Sequence, residues 1–278
     1  MATTAFSDAH VQQREHFFEW MAIFMAAIVV IGFSTHWTMG RSSFMVSPIF
    51  HVHALAFMGW VALFVVQTRL GTRGPVELHR RLGWLGVGWT VLLIVMGFWL
   101  TAHVVSTGQS PFIFLPQYFL IANPLSIFCF AALTWWAVRM RRRTDWHSRL
   151  HICAMAAIMG PAIGRLLPLP LLIPNAFDIA FLAGMIFPAI GMVRDLRRSG
   201  RVHPAWLLGA LSILAVIPAA HLLASSAFGD WAYASITAGQ AGASVPGLVQ
   251  PPFPPMPYTH LQIRAALCIR TISLIFSE

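Results

Sequence analysis

Long apolar runs dominate this sequence and limit what it can fold into. Hydrophobic residues make up 58% of the chain, and only 10% of its residues are charged. A soluble domain normally carries about 25% charged residues, and a helix needs about 20 apolar residues to span a bilayer. The apolar runs lie at residues 17–34, 49–69, 82–103, 115–138, 150–167, 177–193 and 205–224. The sequence therefore predicts an all-α, polytopic membrane bundle of about seven transmembrane helices in contact with the lipid bilayer.

Arginine supplies all eighteen positive side-chain charges, since the sequence has no lysine, and the formal net charge is +9. Thirteen of these arginines fall in three segments between apolar runs, at residues 69–81, 139–149 and 194–201. Short loops rich in arginine stay on the cytoplasmic side of a membrane. We interpret the basic composition as this orientation signal and expect no nucleic-acid partner. We place the N-terminus outside, with residues 1–16 as an extracytoplasmic segment.

The composition changes after the transmembrane domain, which we place at residues 17–228. The segment 229–278 is a proline-rich tail that includes the run PPFPPMP. Residues 259–276 are apolar, but two arginines lie among them, so an interfacial helix or a disordered tail fits better than an eighth span. We expect truncation after Phe228 to leave membrane insertion unchanged.

Several histidines lie toward the side of the bundle that is opposite the arginine-rich loops. His51 and His53 form an HxH motif at the start of the second run, and His103 and His221 end the third and seventh runs. Ionisable residues at membrane depth are costly, so their positions indicate function, and histidine ligates metal ions and haem iron. We predict a metal site at His51, His53 and His103, and a cofactor site that includes His53, His103 and His221. Alternatively, each histidine hydrogen-bonds a loop carbonyl or a lipid headgroup.

Three further polar residues on the same side, Asn123, Arg165 and Asp178, are predicted to bind a ligand. Arg165 and Asp178 flank one short loop. They either pair with each other, or Arg165 holds an anionic ligand such as a haem propionate.

A repeated H-x-R-L pattern opens two helices on the arginine-rich side, at His79 and at His147. His147 and His151 are four residues apart and share a helix face. We predict that His79 and His151 bind a cofactor; alternatively, the two motifs anchor helix ends at anionic headgroups. Other classes are excluded, because a retinal Schiff base requires lysine, and the sequence contains no P-loop, GxSxG or HExxH motif.

The segments HVHALAFMGWVALFVVQ…LHRRLGWLG and WHSRLHICAMAAIMGPAIGR resemble a widespread class of uncharacterised bacterial multi-pass membrane proteins. The resemblance covers roughly residues 45–200. It implies a location in the bacterial cytoplasmic (inner) membrane and no known activity.

More distantly, histidines at both faces of a small helix bundle are similar to those of cytochrome b561-type haem proteins, in which paired histidines ligate two haems. By this analogy His53 with His103 or His221 would serve an outer haem b, and His79 with His151 an inner one.

Three functional hypotheses follow from these patterns. The first, which we favour, is a haem- or metal-dependent membrane redox protein, for which a quinone is a candidate partner. The second is a small-molecule transporter or ligand-binding membrane protein, for which a small anion is the candidate ligand. The third is a metal-dependent membrane hydrolase, in which histidines activate water through a divalent metal ion. Its weakness is that no acidic partner lies at helical spacing from the histidines.

Overall fold

The computed structural model describes residues 2–42 and 44–252, with side chains from His16 onward, and in that part all regular structure is helical. The α-helices are α1 (Ala2–Thr38), α2 (Pro48–Arg73), α3 (Val76–Ser106), α4 (Pro116–Arg139), α5 (Thr144–Ala157), α6 (Gly160–Gly164), α7 (Ala176–Ala183), α8 (Ile186–Ser199), α9 (Pro204–Ala224) and α10 (Ala227–Thr237). Short 3-10 turns occupy Leu169–Leu172 and Ala241–Ser244. The expected all-α class is confirmed.

Six segments of the described chain are long and apolar enough to cross a membrane, which supports the expected multi-pass membrane protein. They are His16–Thr38, Pro48–Arg73, Val76–Ser106, Pro116–Arg139, Ala176–Ser199 and Pro204–Ala224. Large side chains on their outer faces, such as Trp84, Trp99 and Leu222, are exposed. Exposed apolar surface of this kind fits contact with lipid.

The apolar run at 150–167, expected to be one span, is divided between α5 and α6. The break follows Ala157, and Pro161 lies in the first turn of α6. Proline has no N–H group and its ring clashes with the carbonyl four residues earlier, so a continuous helix cannot run through this position at low cost.

Side-chain contacts define two ends of the bundle. At one, which we call the arginine end, α2, α4 and α8 finish and α3, α5 and α9 start; His79 of α3 contacts His147 of α5, and His203 at the start of α9 pairs with Asp145 of α5. At the other, which we call the cap end, α4 and α7 start and α9 finishes; there Asp178 bonds to both Tyr118 and His221. The chain therefore passes from the arginine end to the cap end along α5 and α6, and returns along α7 and α8.

The expected position of the N-terminus, on the side opposite the arginine loops, is wrong. Glu19, near the start of the first candidate span, forms ion pairs with Arg69 at 3.1 Å and Arg73 at 2.8 Å, both at the end of α2. The start of that span therefore lies at the arginine end. The physical reason is that helices joined by short loops alternate in direction, so loops that follow the second, fourth and sixth spans share a side with the chain's start.

Helix α5 lies at the centre of the bundle, where it packs against α1, α4, α8 and α9. Its side chains from Ile152 to Ala157 are all buried. Glycines on the neighbouring elements permit close approach: a Cβ atom at Gly209 of α9 would lie 2.5 Å from Cys153 Sγ, and one at Gly184 would lie 2.5 Å from the Ala156 carbonyl oxygen. The stretch from Ile152 to Ala157 is apolar on all sides, and such a helix segment requires this enclosure.

The start of the predicted tail is a packed part of the fold. Helix α10 contacts α3, α4 and α9, and the side-chain amide of Gln117 donates to the Ala224 carbonyl at 2.7 Å and to Asp230 at 2.8 Å. The backbone N–H of Gln117 donates to the Gly247 carbonyl at 2.8 Å. Residues 227–252 therefore close the cap end. The interfacial helix expected at 259–276 lies outside the described residues.

Candidate functional site

The polar side chains of the bundle gather into two clusters, one at each end. Both are built by residues from several helices, so neither is a local motif in the sequence. The cap-end cluster combines two predicted site residues, Asp178 and His221, with Tyr118. The arginine-end cluster contains the repeated H-x-R-L histidines.

At the cap end, Asp178 of α7 connects α4 to α9. His221 Nε2 donates to Asp178 Oδ2 at 2.8 Å, and the Tyr118 hydroxyl donates to Asp178 Oδ1. The Tyr118 and His221 rings stack with centroids 4.4 Å apart. The aspartate side chain is 15% exposed, whereas that of His221 is 55% exposed. A mostly buried carboxylate thus orients an accessible imidazole, an arrangement that can exchange protons or bind a polar ligand.

The predicted outer histidines have different neighbours from one another. His51 Nε2 lies 3.1 Å from the Phe44 carbonyl oxygen, which matches the alternative of a histidine bonded to a loop carbonyl. His53 packs on Phe57 with ring centroids 4.4 Å apart, and its buried Nδ1 has no hydrogen-bond partner among the described residues. The His103 and Phe50 ring centroids are 6.4 Å apart. The shared outer cofactor site of His53, His103 and His221 stays a prediction.

The three residues predicted to bind a ligand, Asn123, Arg165 and Asp178, contact different partners. Asn123 Nδ2 donates to Thr101 Oγ1 at 2.7 Å. Arg165 donates to the Pro161 carbonyl at 2.6 Å, and its guanidinium carbon lies 3.9 Å from the centre of the Phe33 ring. Asp178 is engaged by tyrosine and histidine, as described above. Arg165 Nε is buried without a partner among the described residues, so this arginine retains one unused donor.

At the arginine end, the two H-x-R-L motifs place their histidines in equivalent positions. His79 Nδ1 lies 3.1 Å from the carbonyl oxygen of Gln67 on α2, and His147 Nδ1 lies 2.8 Å from that of Ala137 on α4. A carbonyl oxygen only accepts, so Nδ1 carries the hydrogen in both rings. These bonds leave Nε2 of each ring unused.

The same histidines lie beside one another. The His79 and His147 ring centroids are 6.1 Å apart with planes at 85°, and His151 lies 4.6 Å from His147. The buried Gln67 Oε1 has no hydrogen-bond partner among the described residues. We call His79, His147 and His151 the histidine cluster. Both members of the predicted pair, His79 and His151, lie in this cluster. His147 lies between them and contacts both.

A second contact at the arginine end joins α5 to α9. His203 caps α9, where its Nδ1 accepts from the Ala205 N–H, and its Nε2 donates to Asp145 at 2.9 Å. Partial burial raises the pKa of the Asp145 carboxyl, but the hydrogen bond from His203 and a backbone hydrogen bond from Trp146 outweigh it, so the pKa lies below its ordinary value.

The sequence did not identify Tyr118 as a site residue, and His147, although recognised in the H-x-R-L repeat and on one helix face with His151, was not predicted to bind the cofactor. Tyr118 follows Gln117 in a run of ordinary apolar spacing, so nothing local marks it. The repeated H-x-R-L pattern was the signal for His147, because equivalent motifs at equivalent helix starts predict equivalent positions.

The described residues contain no group of three or more His, Cys, Asp or Glu side chains placed to hold a metal ion. Comparison of the chain with protein-family models, with curated proteins and with solved structures finds no match.

Proposed function

We propose that this chain is a membrane redox protein that holds a haem at the arginine end through His79 and His147, with His151 beside them. The observation that carries the proposal is the fixed Nδ1 hydrogen bond of each ring to a backbone carbonyl. Histidines that ligate metals almost always donate their other ring N–H in this way, which fixes the tautomer and the ring orientation.

The number of ligands favours haem over a metal ion bound by protein alone. Protein metal sites for zinc and similar ions use three or four side chains, and the described residues offer no such group. Haem iron needs only axial ligands from the protein. His79 and His147, whose ring centroids are 6.1 Å apart, would be the residues that hold the haem.

Arginines that are close in sequence to the histidine cluster suit an anionic cofactor or partner. Arg80 and Arg81 follow His79 directly, and Arg141, Arg142 and Arg143 precede His147. Guanidinium groups bind carboxylates in paired hydrogen bonds, so they are suited to haem propionates or to an acidic electron donor. When bound, the haem would supply one-electron transfer; a quinone is the candidate partner within the bilayer.

The test is the absorption spectrum of the detergent-purified protein, expressed in cells supplied with a haem precursor. We expect a Soret band in the wild type and its loss in His79→Ala and His147→Ala. His51→Ala is the matched control, because that histidine bonds to a loop carbonyl at the cap end. A wild-type protein without a Soret band would refute the proposal. Soret bands retained in both histidine variants would show that other residues hold the haem.

The orientation completes this proposal. Arginine-rich loops face the cytoplasm, so we infer that the arginine end and the start of α1 are cytoplasmic, that the chain crosses a bacterial inner membrane seven times, and that α5 with α6 forms the fifth crossing. A reporter fused after Arg142 should be cytoplasmic, and one fused after Ser110 should be periplasmic. The reverse result would overturn this orientation.

One observation favours the second hypothesis, a transporter or ligand-binding protein. Asp178 and His221 provide a paired acid and base at an accessible position. The hydrolase hypothesis lacked an acidic partner at helical spacing from the histidines, and here the partner comes from a different helix. If this pair carries the function, Asp178→Asn should abolish activity or ligand binding while His79→Ala leaves it unchanged.

A further inference from the structure

A cavity of about 220 Å³ lies at the cap end, between the bundle and the segment that closes it. Its lining includes Val105 at the end of α3, Ser110 in the next loop, Pro116 at the start of α4, Tyr233 of α10, and Val245 and Pro251 of the closing segment. None of these residues belongs to the histidine cluster or to the Tyr118–Asp178–His221 network.

The closing segment is tied down on both sides of the cavity. The Tyr233 hydroxyl donates to the Val245 carbonyl at 2.7 Å. The Gln250 side-chain amide donates to the Phe112 carbonyl, and Gly247 accepts from the Gln117 backbone. These hydrogen bonds hold the closing segment over the cavity. The cavity is therefore enclosed by ordered parts of the described fold.

The walls specify an uncharged, mostly apolar occupant. Valine and proline side chains supply most of the lining, and none of the described residues that line the cavity is charged. An engineered apolar cavity of about 150 Å³ in another protein binds benzene. The volume here therefore accommodates a single aromatic ring with one substituent.

One polar group in the wall is unused. Ser110 Oγ is buried and has no hydrogen-bond partner among the described residues, whereas the Tyr233 hydroxyl is already bonded. A buried hydroxyl without a partner is costly, so an occupant that hydrogen-bonds Ser110 is favoured over one that does not.

We propose that this cavity binds a small uncharged aromatic alcohol of the phenol class, with its ring between Pro116 and Val245 and its hydroxyl on Ser110 Oγ. The ligand class follows from the volume, the apolar walls and the single unused hydroxyl. This site is independent of the proposed haem.

The experiment uses 4-fluorophenol and fluorine NMR on the detergent-purified full chain. Wild-type protein should give a saturable bound resonance distinct from the signal of fluorophenol dissolved in micelles. Ser110→Ala should weaken binding about fivefold, as expected for one lost hydrogen bond, and should leave fluorobenzene binding unchanged. Val245→Phe, which fills the cavity, should abolish the bound signal of both probes.

Two results would overturn the proposal. One is a wild-type protein with no saturable bound resonance, which would mean that the cavity holds only water. The other is an affinity unchanged in both variants, which would place the ligand elsewhere. Thermal unfolding of each variant shows whether it is folded, and the small Ser110→Ala change keeps the test decisive if Val245→Phe does not fold.

Discussion

The ion pair between Arg149 and Asp195 offers the sharpest test of how the arginine end is held together. Arg149 of α5 and Asp195 of α8 have side chains only 4% and 7% exposed. The guanidinium donates two parallel hydrogen bonds of 2.9 Å to the two carboxylate oxygens. Trp206 Nε1 of α9 donates to the same carboxylate at 3.0 Å. One aspartate therefore joins three helices.

Asp195→Leu removes the carboxylate and leaves the Arg149 charge buried without its counter-ion. Breaking a buried pair in this way costs about 3–5 kcal/mol. With a shift of about 2–4 °C per kcal/mol for a domain of 150–250 residues, the midpoint of thermal unfolding should fall by roughly 6–20 °C. The measurement is a thermal melt of the purified protein in detergent, followed by loss of monomeric, folded protein.

The matched control is the exposed pair of Glu77 and Arg81 on α3, whose side chains are 75% and 76% exposed. Exposed ion pairs contribute about 0–1 kcal/mol, so Glu77→Gln should leave the melt nearly unchanged. The double variant Arg149→Met, Asp195→Leu should recover much of the lost stability, because no unpaired charge remains. If Asp195→Leu is no more harmful than Glu77→Gln, the pair does not hold α5 to α8.

Three further outcomes are expected. Gly32→Ala should destabilise the protein by about 1–3 kcal/mol, because the new Cβ would lie 2.4 Å from a carbonyl oxygen of α6, whereas Gly88→Ala, with nothing within 4 Å, should be neutral or stabilising in the same melt. Truncation after Phe228 should lower the amount of folded protein in membranes, since it removes the packed cap, and truncation after Pro252 retains those contacts. Because the pKa of Asp145 is lowered in the fold, its contribution is present above its ordinary pKa and lost as the pH falls through the folded value. Asp145→Asn should therefore reduce the difference in melting midpoint between pH 7 and pH 3.

Each of these outcomes has a contradicting result. Equal melts for the two glycine variants would mean that α1 does not approach α6 closely. Normal membrane levels after truncation at Phe228 would restore the original expectation that the tail is dispensable. An unchanged acid sensitivity in Asp145→Asn would mean that other carboxylates account for it.

Part of the candidate site was accessible from sequence. The repeated H-x-R-L pattern singled out His79 and His147 in the sequence, and the structure places their rings beside each other. The network of Tyr118, Asp178 and His221 was not accessible, because its members lie 43 to 103 positions apart and come from three helices. Helix periodicity relates neighbours on one helix and carries no information about which helices touch.

Hydropathy along the chain determined that this protein is an α-helical membrane bundle, because a bilayer admits only backbone whose hydrogen bonds are satisfied within the segment. The arginine positions determined which helix ends share a side. Only the tertiary structure decided that α5 is the enclosed central helix, that Pro161 divides the fifth apolar run, and that residues 227–252 close the cap end. It also corrected the N-terminus, through the pairing of Glu19 with α2. These features depend on packing between segments distant in sequence, where an apolar side chain facing lipid and one facing another helix have nearly the same hydropathy.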